Sequence, residues 1–391
     1  MNILIIQGGT DSHLPSGEKT VILNEQEYLS KNHNVTVEYI EMKNSVLGKL
    51  TSLIWSFSNY FKIIKLVEKH NPDIIHFHTI VPYISLSVLY AAKKKKVKTV
   101  QTLHNGRWLC IEGGFFRKGG YCDICVGSKG FSGLRYGCGH GKLMSSLLVM
   151  INYFARSNKR LFKLVDRFIA VSKYVKEQHV KSGFPEDKIV IRNNGIKTNL
   201  LNKSYSDYSN ERRGFAFAGR VSIAKGSNVL KYLMTKLKDD FHIVGSGPQL
   251  DDLKIFCRQN DFKHVKFWGK QTNEKTLEIL SSVICTVLPS QCGDSLPLVA
   301  AESMIVGTPV VASKLGGLTD FIKKSKGGII IEEKDFKMFY KKIEYLLDNI
   351  NYAKKIGETG KDYVIKELSC QLKGLELENI YINMLKEHRN L

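Results

Sequence analysis

The sequence predicts an α/β protein made of two doubly wound, parallel-sheet domains. Three observations carry this: the length, a strand–helix rhythm that runs through the first half, and a restart of that rhythm after a polar break. At 391 residues the chain is too long for one ordinary core and suggests two domains of roughly 200 residues each. In the first half the apolar runs "NILIIQ", "NVTVEYIEM", "DIIHFH", "KTVQTLH", "RFIAVS" and "KIVIRN" read as strands. Between them "EKTVILNEQEYLSK", "NYFKIIKLVEKH" and "ISLSVLYAAKKKK" have helical spacing. Strand alternating with helix is the βαβ rhythm of a parallel sheet.

The polar stretch "LNKSYSDYSNERR" interrupts the pattern, and "GFAFAGR", "DFHIVGSG", "HVKFWGK", "VICTVLPS", "TPVVAS" and "GGIIIEE" then restart it. The expected boundaries are residues 1–195 for the first domain, with a cysteine-bearing insert at about 106–142. Residues 196–365 form the second, and a helical tail over 366–391 is expected to cross back to the first.

Hydrophobic residues at 43% and charged residues at 24% describe an ordinary soluble globular chain. No charged, apolar and small-residue leader is visible, and no apolar run is long enough to span a bilayer, so a cytoplasmic location is expected. The formal net charge is +21. Residues 1–195 hold 28 Lys and Arg against 14 Asp and Glu, so the excess is concentrated there. A field of that sign attracts nucleic acid, anionic lipid or phosphorylated substrates.

Open sheets of this kind bind ligands beyond the carboxyl ends of their strands, so the loops after strands are where chemistry is expected. In "GRVSIAKG", Arg220 and Lys225 follow a strand within five positions and are placed to reach a diphosphate, with Gly219 and Gly226 allowing close backbone approach. The alternative is a pair of solvated surface cations. "GSGPQ", with Gly245, ends another strand; by itself it marks only a turn. In "GDSLPLVAAESMIVGTPVV", Pro297 suits a first helical turn and Gly307 a helix end. The acids Asp294 and Glu302 flank that helix entrance. Helix N–H groups attract an anion and carboxylates accept hydrogen bonds from hydroxyls, which together suit a ligand with phosphate and sugar. The bland readings are a helix cap for Asp294 and a solvated face for Glu302, although a charge in so apolar a stretch is costly without a polar partner.

These motifs, in this order, resemble the nucleotide-sugar domain of glycosyltransferase family 4, retaining enzymes of the GT-B fold, and "NNGI" at 193–196 and "TLHN" at 102–105 extend the resemblance over most of the chain. The resemblance implies two Rossmann-like domains facing across a cleft. Arg220 and Lys225 would hold the donor diphosphate, and Glu302 the ribose hydroxyls. Gly219, Gly245, Ser295, Leu296 and Leu298 would complete the donor site. Asp294 stands where the family usually has Glu, one methylene longer, to contact the donor sugar; Asp320 and Lys197 are further departures. His104 would hydrogen-bond the donor sugar, against a plain core or surface role. Gly8, Gly9, Gly17 and Glu18 of the first loop would admit an acceptor or a phosphate, and Glu18 alternatively caps a helix.

Cys110, Cys122, Cys125 and Cys138 cluster in the insert. They read as a structural zinc knuckle, as reduced thiols or as a redox-sensitive bridge; by the family comparison catalysis needs no metal or other cofactor beyond a UDP- or GDP-sugar co-substrate. The segment "KLMSSLLVMINYFARSNKRLFK" joins Leu143, Leu147, Leu148, Ile151 and Phe154 to Arg156, Lys159, Arg160 and Lys163. It reads as a packed helix with a basic end, or as a patch that docks on the anionic inner face of the membrane.

The resulting expectation is a retaining hexosyltransferase moving a sugar from a nucleotide donor to a lipid-linked glycan in surface-polysaccharide synthesis, of O-antigen or capsule type. A GT-B-fold sugar-nucleotide epimerase and, more remotely, a basic nucleic-acid-binding protein are the alternatives. The latter leaves Asp294 and Glu302 without a purpose.

Overall fold

The computed structural model describes residues 1–9, 17–41, 55–128, 131–138, 142–156, 159–197, 212–332 and 334–389. The polar break at 198–211 and the middle of the first loop, 10–16, lie outside them, as does the side chain of Leu143. The chain divides into two compact units. One holds residues 1–115, 123–195 and 370–391, the other 116–122 and 196–369.

In chain order come β1 (Asn2–Gly9), α1 (Gly17–Leu29), β2 (Asn34–Glu41), α2 (Phe57–His70), β3 (Ile74–Phe77), α3 (Ser87–Lys94) and β4 (Lys98–Leu103). A short hairpin, β5 (Phe116–Arg117) and β6 (Gly120–Tyr121), groups with the second unit. Then follow α4 (Ser132–Arg135), α5 (Lys142–Arg156), α6 (Arg160–Leu164), β7 (Arg167–Ala170), α7 (Lys173–Lys181) and β8 (Ile189–Ile191). The first sheet is parallel with strand order β2-β1-β3-β4-β7-β8. Ile3, Leu4, Ile5 and Ile6 are all buried, as expected of a strand covered on both faces. Helix α2 shows how local sequence sets an end: Ser56 accepts from the Asn59 N–H at the start, and Asn71 takes the left-handed conformation (φ 41°) at the finish.

The second unit runs β9 (Phe215–Ala218), α8 (Ser227–Lys236), β10 (Phe241–Val244), α9 (Leu250–Gln259), β11 (Val265–Gly269), α10 (Asn273–Ser281), β12 (Cys285–Leu288), α11 (Leu298–Ile305), β13 (Val310–Ser313), α12 (Gly316–Ser325) and β14 (Gly328–Ile331). Helices α13 (Phe336–Asp348) and α14 (Ile350–Leu368) complete it. Its sheet, also parallel, has the order β11-β10-β9-β12-β13-β14.

The last helix, α15 (Cys370–Arg389), belongs to the first unit. It buries Leu377, Tyr381 and Met384 in the core formed by Ile3, Ile5, Ile22 and Ile74. Gly374 lies against the Tyr28 ring, where an added Cβ would come within 2.2 Å of Cγ. The C-terminal part of the chain is three helices, broken at Asn349 and Ser369.

Candidate functional site

In the second sheet the chain winds outward one way through β9, β10 and β11 and the other way through β12, β13 and β14. The switch falls between β9 and β12, and loops leaving the carboxyl ends of such a strand pair diverge to leave a crevice. Those loops carry Arg220, Lys225 and Asp294. Close backbone approaches hold them together. Gly226 sits at φ 86° with its missing Cβ 2.1 Å from the Pro289 carbonyl oxygen, and the Gln291 N–H donates to the Ala224 carbonyl at 2.8 Å.

Lys225 Nζ donates to Asp294 Oδ1, and Ser290 Oγ donates to Asp294 Oδ2 at 2.6 Å. Burial opposes the lysine's charge, but Asp294 outweighs it and raises its pKa above the ordinary value. The Asp294 backbone carbonyl accepts from the Gly317 N–H at 2.7 Å, which ties the loop to the start of α12. A side chain on Gly316 is forbidden there, since its Cβ would stand 2.1 Å from that same carbonyl oxygen. Arg220 is exposed and, among the described residues, has no hydrogen bond or ion pair, while its charge reaches Lys225. A lysine with a committed counter-ion beside an uncommitted arginine is an arrangement that accepts an anion.

Glu302 sits one turn into α11, half-buried, with no partner for its carboxyl among the described residues. Burial alone pushes its pKa up to about 7. Leu296 and Leu298 put their side chains into the apolar cluster with Ala300, Met304 and Leu318. Those two residues therefore offer a ligand their backbone rather than their side chains. Pro297 stands just before the helix, not within its first turn. Gly245 is required by packing: an added Cβ would lie 1.9 Å from the Gly219 carbonyl oxygen. Ser295 is half-buried in the same loop.

In the first sheet the switch lies between β1 and β3. Gly8 does not leave room for a phosphate, because its N–H donates to the Thr79 carbonyl at 3.0 Å and an added Cβ would come within 2.4 Å of that oxygen. Gly9 ends β1 and Gly17 opens α1, with the intervening loop outside the described residues. Glu18 is no simple helix cap. It accepts from Thr79 Oγ1 at 2.7 Å, Gln7 Nε2 at 3.2 Å and Asn105 Nδ2 at 3.3 Å. Burial raises its pKa, but His104, these hydrogen bonds and Arg107 outweigh that and hold it below the usual value. Burial, only partly offset by Glu18, pushes His104 down to about 4.

Sequence reasoning missed what stands behind His104. His78 Nδ1 lies 2.8 Å from His104 Nε2, and His78 Nε2 lies 3.2 Å from Glu25 Oε2. Arg192 Nη1 donates to Glu25 Oε1 at 2.6 Å. His76 bonds Thr102 Oγ1 and the Tyr381 hydroxyl, both at 2.7 Å. The clue was legible: His76 and His78 occupy or adjoin a strand buried on both faces, where a polar ring is costly unless paired. Ser290 was missed likewise.

Cys110, Cys122, Cys125 and Cys138 form no disulfide. Among the described residues the one group of three potential ligand atoms within 4.8 Å of each other is Glu25, His76 and His78, and it contains no cysteine. On α5, Leu148 and Ile151 turn into the core, whereas Met150, Tyr153 and Phe154 are exposed at 64%, 40% and 50%. The Arg160 guanidinium covers the Phe154 ring at 4.0 Å. No helix among the described residues is long and apolar enough to cross a membrane.

Comparison with known proteins agrees with this architecture. Residues 18–200 match the family model described as Glycosyltransferase Family 4, and residues 205–363 that described as Glycosyl transferases group 1. An uncharacterised glycosyltransferase of Methanocaldococcus jannaschii is 31% identical over 231 residues, covering 54% of this chain and 59% of the relative. The capsular polysaccharide biosynthesis glycosyltransferase CapM of Staphylococcus aureus is 25% identical over 244 residues, 56% and 62% of the two chains. The chain thus spans between about half and three fifths of the length of these curated relatives. Among solved structures, Anabaena HepE in complex with UDP and glucose superposes with a TM-score of 0.71 at 15% identity, covering 98% of this chain and 100% of that one, a likeness of fold. With two family models matching between them most of its length, this chain belongs to the family 4-like glycosyltransferases of the GT-B fold.

Proposed function

We propose that the protein is a retaining glycosyltransferase that takes a sugar from a nucleoside-diphosphate donor, UDP-linked or GDP-linked, to a hydroxyl of a lipid-linked glycan in surface-polysaccharide synthesis. The observation that carries this reading is the Lys225–Asp294–Ser290 constellation at the β9/β12 switch with Arg220 uncommitted beside it. Negative charge develops on the departing diphosphate, and preformed cations and helix N–H groups in that crevice stabilise it without reorganising. Glu302 would accept from the ribose hydroxyls, the polar partner its apolar surroundings lack. Asp294 holds Lys225 in place and reaches the sugar only by sharing its carboxylate. His104 and Glu18 of the first unit would contact the sugar and acceptor, with positioning supplying much of the rate. HepE, a protein of the same fold, was crystallised with UDP and glucose, and CapM is named for capsular polysaccharide synthesis; both fit this reading.

The exposed Met150, Tyr153 and Phe154 beside Arg160, in a unit with excess positive charge, support docking on the anionic inner face of a membrane, where a lipid-linked acceptor would be found. A panel of nucleotide sugars tested for protection against thermal unfolding examines the donor. A true donor raises the melting temperature with concentration. Protection by none of them would overturn the reading, and conversion of a donor without any acceptor would favour an epimerase instead.

A further inference from the structure

We propose that Arg107 is the anion-binding residue of the acceptor site and that the acceptor is a glycosyl phosphate, with its phosphate on the guanidinium and its sugar beside Gln101. This rests on the reading above that the first unit receives the acceptor. It names the charged part of that acceptor and the side chain that meets it.

Arg107, in the loop after β4, is held in place by its surroundings. Its backbone N–H donates to Asn105 Oδ1 at 3.1 Å, and its backbone carbonyl accepts from Asn152 Nδ2 of α5 at 2.8 Å. The side-chain stem fits because Gly113 is bare: a Cβ there would stand 2.7 Å from Arg107 Cγ. The guanidinium carbon lies 5.7 Å from the centre of the Tyr83 ring, a contact that orients the head. Arg107 is half-buried, yet among the described residues its guanidinium has no hydrogen bond or ion pair. Its charge reaches Glu18, but the oxygens of that carboxylate are already engaged by Thr79, Gln7 and Asn105. A guanidinium fork that is oriented in advance and keeps its donors unused fits the paired oxygens of a phosphate.

The two recesses that Arg107 borders indicate what the anion is attached to. One is lined by Thr79, Gln101, His104, Asn105 and Trp108. Thr79 and Asn105 both donate to Glu18, so this recess adjoins the carboxylate assigned to the acceptor. Gln101 is 2% exposed and its Oε1 has no hydrogen-bond partner. A buried carbonyl oxygen in that condition is costly, and a sugar hydroxyl satisfies it. The other recess has the apolar walls Val81, Pro82, Ile111 and Leu148, with Asn152 beside them. Sugar hydroxyl, oxyanion and apolar ester therefore each have a counterpart around one side chain: Gln101, the guanidinium and the apolar wall. A neutral glycan end would leave Arg107 unmatched.

The test is calorimetric titration of the full chain with farnesyl diphosphate, glucose 1-phosphate and methyl glucoside, in the wild type, Arg107→Met, Arg107→Lys and Arg220→Ala. Farnesyl diphosphate should bind Arg107→Met at least about tenfold more weakly than the wild type. Arg107→Lys should fall between them, because a point charge replaces the fork. The site that depends on Arg107 should persist in Arg220→Ala, and methyl glucoside, which lacks the anion, should not respond to residue 107. Dependence on Arg107 for glucose 1-phosphate alone supports the glycosyl phosphate and assigns it to a free sugar phosphate rather than a lipid. Unchanged affinity for both anions in Arg107→Met, or no binding of either to the wild type, overturns the proposal. Should Arg107→Met fail to fold, spectra of the ¹⁵N-arginine-labelled wild type decide: the Arg107 Nε–H signal should move on addition of farnesyl diphosphate or glucose 1-phosphate, and a signal that moves with neither overturns the proposal. These measurements need neither a nucleotide nor sugar transfer, so the failure of the proposed function and of this inference are separable.

Discussion

Lys225 and Asp294, 69 positions apart, meet as donor and acceptor where the second sheet reverses its winding. The pair does two things at once. It keeps the lysine charged and aimed in a partly buried loop, and it gives Asp294 a structural task that its position in the sequence did not announce.

Replacing Lys225 by Ala should lower turnover with saturating donor by a factor of about 10² to 10³. Asp294 would keep its Ser290 hydrogen bond, so the melting temperature should move little. Steady-state kinetics with thermal unfolding check both halves.

The two sheets and nearly all of their strands were legible, because runs such as "NILIIQ" and "FAFA" are buried on both faces and so read as continuous apolar stretches. Arg220, Lys225 and Asp294 stood out because they lie in loops that leave strands, and Glu302 because it is a charge in an apolar helix. The buried cluster behind His104 was not, since it gathers residues 25, 78, 104 and 192 from four separate segments, and contacts across a sheet leave no local spacing to read. The first-loop glycine Gly8 misled for a related reason: its missing side chain suggested room for a ligand, while the space beside it is filled by the Thr79 carbonyl.

Nucleotide binding should depend on pH through Glu302. With its carboxyl near 7 in the free protein and ionised when it accepts ribose hydroxyls, affinity should rise by about tenfold between pH 6 and pH 8. Titration calorimetry at pH 6.5 in buffers of different ionisation enthalpy should show proton release on binding. For stability the sign is opposite: a raised carboxyl stabilises the fold below pH 4.5 and loses that contribution as pH rises through 7. Glu302→Gln should therefore flatten the affinity profile and make the protein more stable than wild type at pH 8, but not at pH 4.

Acid should destabilise the first unit before the carboxylates titrate. His104 and His179 are each pushed down to about 4 by burial, so the unfolded chain takes up protons first and stability falls from about pH 6.5 towards 4. Urea unfolding across that range should show the loss, and His179→Leu should reduce its slope.

Gly226→Ala should cost about 2 kcal/mol or more, because it places a Cβ 2.1 Å from the Pro289 carbonyl oxygen at φ 86°. Chemical denaturation measures the loss. Donor affinity should fall with it, since the displaced loop carries Lys225.

Exchanging Met150, Tyr153 and Phe154 for Ser should weaken binding to vesicles containing anionic phospholipid while leaving nucleotide binding unchanged. Sedimentation with vesicles at low and high salt separates the apolar from the electrostatic share.

The most direct test is calorimetric titration of UDP and of GDP into the wild type, Arg220→Ala, Lys225→Ala and Glu302→Ala. One site is expected in the wild type for one of the two nucleotides, with an affinity at least about tenfold weaker in every variant. Equal affinity in all four proteins, or no binding of either nucleotide, would contradict it.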